Sequence, residues 1–200
     1  MPRKGTYSNT KASGSTIEVS DFATIRQEAK ESVESELGKL ARPDDRVARA
    51  AEIIRQADVE IATDGPDREK ATASLWFYEQ AMGLPKVLGI YPTAYREILS
   101  KALYGDPKKK LPSAGPEELK KLAEAANVPH VPDAREKLPK LARIVAAAQA
   151  RRHAAVPFMQ DAALALSQEP YGWDAARIAE HADVQKAIIY QHWRAAKNRR

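Results

Sequence analysis

Nowhere in this chain do apolar and polar residues alternate with a period of two over a useful length. Where a pattern can be read, apolar side chains return every three or four positions. That spacing gathers them on one face of an α-helix and would leave a β-sheet with no buried side. The expected fold class is therefore all-α. Aromatic residues are only 6% of the chain, so its core has to be built from Ala, Leu, Ile and Val, and 13 Pro with 9 Gly point to many short helices. With 44% apolar and 30% charged residues in 200, the chain has the make-up of a folded globular protein.

Several chemistries are excluded at once. The chain has no cysteine, which removes disulfides, thiolate zinc sites and cysteine nucleophiles. Its four histidines, His130, His153, His181 and His192, form no HExxH or comparable pair, and no P-loop, GxGxxG or GxSxG is present. Carboxylates fall beside Lys and Arg on helical surfaces, where solvated pairs are the default. The sequence is thus read as a non-enzyme needing no metal and no cofactor. No apolar run approaches the roughly 18 residues of a membrane span, and no apolar stretch follows the basic N-terminus. A cytoplasmic, nucleoid-associated location with no membrane partner is the corresponding expectation.

Along the chain, residues 1–18 are rich in Ser, Thr and Gly with Arg3, Lys4 and Lys11, and read as a disordered basic tail. A helical domain is expected over 19–104. Ser20 can cap its first helix, with Asp21 in the first turn and Phe22, Ile25, Ala29, Val33, Leu37 and Leu40 on one face. Pro43 starts a second helix carrying Val47, Ala50, Ala51, Ile54 and Ala57. Thr63-Asp64-Gly65-Pro66-Asp67 reads as a turn, followed by a third helix to about Met82 with the core anchor Trp76-Phe77-Tyr78. Three prolines and Lys108 to Lys110 mark 105–116 as a linker. The remainder, 117–200, is a second helical domain. It is broken at Val128 to Pro132, is Ala-rich from Leu141 to Ala155, reopens at Pro157, and closes at Pro170-Tyr171-Gly172.

The last residues carry the functional signal. Ala175, Ile178, Ala179 and Ala182 lie at i, i+3, i+4 and i+7, Asp183-Val184 interrupts the period, and a second helix resumes with its seam on Ile189, Trp193 and Ala196. Two short helices joined by a brief turn, with small Ala179 where they cross, form a helix-turn-helix over 174–197. The run Ile178-Ala179-Glu180-His181-Ala182-Asp183-Val184-Gln185-Lys186, with Tyr190, His192 and Trp193, resembles the helix-turn-helix of TetR-type repressors, roughly I-A-x-x-A-G-V-S-K-x-x-x-Y-x-H-F. The likeness covers about a tenth of the chain. TetR proteins carry the element at the N-terminus ahead of a ligand-binding bundle, whereas here it ends the chain. The resemblance therefore implies the DNA-binding mode and not inducer sensing. Two departures stand out. Asp183 replaces the usual turn Gly, at modest cost because Asp tolerates positive φ. Ile188 replaces a small polar residue, and is either rim packing or an apolar probe for a thymine methyl.

Such a motif presents the N-terminal part of its second helix to the major groove. Gln185, Lys186, Ala187, Ile188 and Gln191 are the expected base-facing residues, and Tyr190 and His192 resemble the family's phosphate-contacting pair. Arg194, Lys197, Arg199 and Arg200 extend the electrostatic footprint, and Arg177 anchors the first helix. Residues 174–200 hold six basic and three acidic side chains, three of the five net positive charges of the chain. A second, weaker helix-turn-helix candidate spans 84–103, with Leu88-Gly89-Ile90 as its turn, Pro92 opening its second helix, and Tyr91, Thr93, Tyr95 and Arg96 facing outward. Pro85 stands there where the small packing residue belongs.

The leading expectation is a sequence-specific regulator of transcription, bacterial, plasmid or phage, binding double-stranded DNA as a homodimer through its N-terminal bundle. An architectural, partition or phage DNA-packaging protein is the related alternative. An all-helical protein–protein adaptor is the alternative from another class.

Overall fold

A computed structural model describes residues 17–199, and the tail expected at 1–18 falls mostly outside them. Among the described residues there are eight helices and no strand, and no helix is long and apolar enough to cross a membrane. They are α1 (Phe22–Gly38), α2 (Pro43–Glu79), α3 (Leu84–Leu88), α4 (Pro92–Tyr104), α5 (Pro116–Ala125), α6 (Ala134–Leu166), α7 (Ala175–Ala182) and α8 (Lys186–Asn198). The all-α expectation holds. The expectation of many short helices does not, because two long ones form the frame.

The first correction is at Pro66. The expected turn at Thr63 to Asp67 does not form, and α2 runs through it for 37 residues. Proline in a helix interior removes a hydrogen bond and is worth about 3 kcal/mol against the helix. Two features offset that. Gly65 has no Cβ for the proline ring to meet, which relaxes the restriction on a pre-proline residue. The flanking halves of α2 are also tied down separately. Ala50, Ala51 and Ile53 share a core with Ala155, Met159 and Ala162 of α6, while Ala71 and Leu75 share another with Leu138, Ala142 and Ala146. A turn at residue 65 would pull one half off α6. These pairings also fix the two long helices as antiparallel.

The second correction follows the same logic. Pro157 does not open a new helix but lies inside α6, as does Pro139, and α6 extends for 33 residues. Smaller adjustments occur at the ends. Asp21, not Ser20, caps α1, its carboxylate accepting the amides of Ala23 and Thr24 at 3.1 and 3.2 Å. Ile17 already rests against the second core.

A third core closes the far end. Ala73 and Phe77 of α2 meet Leu99 and Leu103 of α4, Leu119 and Ala123 of α5, and Val128. Phe77 is fully buried and Trp76 touches both adjoining cores, which is the anchoring role expected of the aromatic cluster. The Tyr78 hydroxyl donates to the Val128 carbonyl at 2.7 Å, and the Val131 amide donates to Ser74 Oγ at 2.8 Å. Residues 105–115 hold no helix, Leu111 and Ala114 among them rest against the third core, and the helices on either side of them bury common cores. Residues 19–104 and 117–200 therefore do not have separate interiors.

Candidate nucleic-acid interface

The sequence 174–198 folds as two helices with a tight turn between them. The Asp174 carboxylate caps α7 by accepting the Arg177 amide at 2.8 Å. Ala175, Ile178, Ala179 and Ala182 are all buried, the four positions expected from the spacing. Asp183 then adopts the left-handed conformation at φ 51° and ψ 54°. Its amide donates to Glu180, and the Val184 amide donates back to Ala179 at 3.0 Å, closing the helix end. Gln185 is extended at φ −71° and ψ 140°, and α8 begins at Lys186.

What fixes this unit to the frame is the need of helix ends for hydrogen-bond partners. The last four carbonyls of α6 are all satisfied: Ala163 by the Trp193 indole at 2.9 Å, Leu164 by Ser167, Ala165 by Gln168, and Leu166 by the Trp173 amide at 2.8 Å. The C-terminus of α7 is met from α2. The Arg55 guanidinium reaches the Ala182 and Asp183 carbonyls at 3.4 and 3.2 Å and the Asp183 carboxylate at 3.0 Å. Ile189 is fully buried in the core formed by α1, α2 and α6. The orientation of α8 is thereby set from three sides. Arg55 carries no sequence signal, since the register of α2 against the turn is a tertiary fact.

The outer face of α8 is what remains. Gln185, Lys186, Ala187, Tyr190, Gln191, Arg194 and Lys197 are exposed, and Tyr190 keeps 51% of its surface. The helix contains no acidic residue, so Lys186, Arg194 and Lys197 set the sign of that face. Lys186 lies 5.8 Å from the Tyr190 ring centre. Ile188 is half-buried against the core, the rim position of its two open roles, in a groove of about 870 Å³ that it shares with Ile54 and Val59. His192 is half-buried as well. Burial, reinforced by nearby Arg152, lowers its pKa below the ordinary 6.5 and favours the neutral ring. Arg199 pairs with Asp161 at 2.8 Å, and Arg177 stacks 4.2 Å above the Trp173 ring. Arg200 lies outside the described residues.

At the weaker candidate, α3, a turn at Gly89 and α4 take the expected order. Tyr91, Thr93 and Arg96 are exposed. Tyr95 is not outward as expected: it is half-buried between the second and third cores, and burial raises the pKa of its hydroxyl. No group of three or more potential metal ligands occurs among the described residues. No protein-family model, curated protein or solved structure matches the chain.

Proposed function

We propose that this chain is a sequence-specific double-stranded-DNA-binding protein that regulates transcription, with α8 entering the major groove. The observation that carries this reading is the outer face of α8: free of acid, exposed along its length, and rigidly presented behind a left-handed turn. A reading helix must be held by its inner face and leave its first turns unoccupied. Gln185, Lys186, Ala187 and Gln191 are the groups in reach of base edges. Gln can bond adenine through two atoms and Lys can bond guanine. Tyr190, Arg194 and Lys197, with Arg177 at the start of α7, serve phosphates. His192 acts as an uncharged donor, and the charge of Arg199 is locally offset by its partner Asp161.

A homodimer is the simplest way for a single motif to gain affinity. Base reading by α8 does not itself require one. Its test is substitution of the outward glutamine. Gln191→Ala should weaken binding to a selected cognate duplex by about 1–3 kcal/mol and leave binding to unrelated duplex unchanged. Equal loss on both would remove base reading and leave only charge attraction.

A further inference from the structure

The turn at Gly89 repeats the turn at Asp183 in its backbone detail. Gly89 is left-handed at φ 62° and ψ 34°, as Asp183 is at 51° and 54°. The amide of Gly89 donates three residues back, to Lys86 at 3.1 Å, as that of Asp183 does to Glu180 at 3.2 Å. The next amide donates five residues back in both cases, Ile90 to Pro85 at 3.1 Å and Val184 to Ala179 at 3.0 Å. An extended residue then caps the second helix, Tyr91 at −69° and 149° and Gln185 at −71° and 140°, and both second helices are 13 residues long.

Exposure follows the same register. Tyr91, Pro92 and Thr93 are exposed like Gln185, Lys186 and Ala187, and Arg96 and Glu97 are exposed like Tyr190 and Gln191. Tyr91 keeps 85% of its surface, an aromatic side chain left uncovered at the head of a helix. The two units also leave α2 on one side. Arg55 holds the Asp183 turn and Glu69 pairs with Lys101 of α4 at 2.8 Å, and these anchors stand about four helical turns apart. At 1.5 Å per residue, the two anchors stand about 21 Å apart along α2.

We infer that α3–α4 is a second DNA-reading unit, so that one chain contacts a single duplex through two helices. The inference rests on the DNA-binding reading of α8. In that register Tyr91, Thr93 and Glu97 stand where Gln185, Ala187 and Gln191 face base edges, with Glu97 able to accept from cytosine, and Arg96 stands where Tyr190 serves a phosphate. Since these side chains differ from those of α8, the two half-sites differ in sequence, and a single chain occupies a site that is not palindromic.

The test uses the full chain and the duplex it selects from a random library. Arg96→Ala should lose affinity on that duplex and nothing on a duplex cut back to the α8 half, whereas Gln191→Ala should lose about 5–150-fold on both. Tyr91→Ala, also at an exposed position, is the second variant, and thermal melts check that both variants fold. Loss from Gln191→Ala with none from Arg96→Ala or Tyr91→Ala would overturn this inference and leave α8 as the reader. A selected palindrome bound by two chains would overturn it too. No loss from any variant, or no duplex selected, would overturn it together with the DNA-binding reading.

Discussion

Asp183 and Gly89 occupy the same turn position with different freedom. An L-residue held left-handed costs about 1–2 kcal/mol. Asp183 offsets only part of that cost through its pairing with Arg55, since it stands in the open with 87% of its side chain exposed. Gly89 has no such room, since a Cβ there would overlap the Phe22 ring. We therefore expect Gly89→Ala to lower the melting temperature well beyond Asp183→Ala; equal shifts would mean that backbone strain alone governs both turns. His192 supplies a pH signature. Its native pKa lies below the ordinary value of 6.5, so the unfolded chain binds its proton more readily. The stability it contributes is present above about pH 6.5 and is lost as pH falls through the lowered native value. His192→Gln should flatten that part of a melting-temperature profile taken between pH 7.5 and 5. At the residue scale the sequence is most legible in the motif. The burial of Ala179 and Ile189 follows from spacing and the positive φ of Asp183 from the resemblance, because such a motif is local and its own side chains specify it. Arg55 and the half-burial of His192 depend on α2 and α6, which no local pattern locates.

Among the helices, Pro66 and Pro157 mark where local preference is overruled. Proline and glycine signals report the intrinsic preference of a few residues, and packing along both halves of a long helix outweighs them. The segment through Gly65-Pro66 stays helical because Ala50, Ala51 and Ile53 on one side and Ala71 and Leu75 on the other are claimed by different ends of α6. Pro66 is exposed, so its ring adds little packing. Pro66→Ala should then stabilise the fold by about 1–2 kcal/mol, the recovered hydrogen bond being set against greater freedom of the unfolded chain. A fall in denaturation midpoint would instead show that a bend at Pro66 is needed to bring both halves onto α6. The start of α2 at Pro43 and the burial of its Val47, Ala50 and Ala51 are readable directly, since a proline in the first turn and a three-four spacing are local statements.

The whole molecule behaves differently from two domains on a linker. Val33 and Leu37 of α1, Met159 and Leu166 of α6, and Ile178 and Ile189 of the motif belong to one core. From sequence alone, removal of everything after Tyr171 is expected to leave a folded N-terminal bundle. The shared core reverses that expectation. Truncation there should uncover Leu166 and Met159 and lower the melting temperature by many degrees, as followed by far-ultraviolet circular dichroism. A truncated chain melting like the full one would show that the motif adds nothing to that core. A chain touching about 6–10 phosphates should also lose about 10³–10⁵ in affinity between 50 and 200 mM salt, which a protein–protein adaptor would not show.

The most direct test of DNA reading by α8 is selection of duplexes from a random library by the full chain at about 150 mM salt, where non-specific attraction is weak. The predicted result is an enriched site whose affinity falls by about 1–3 kcal/mol in Gln191→Ala. Retention without enrichment would leave α8 as a basic surface that does not read sequence. No retention would contradict the assignment of α8 to DNA and turn its outward face toward a protein partner.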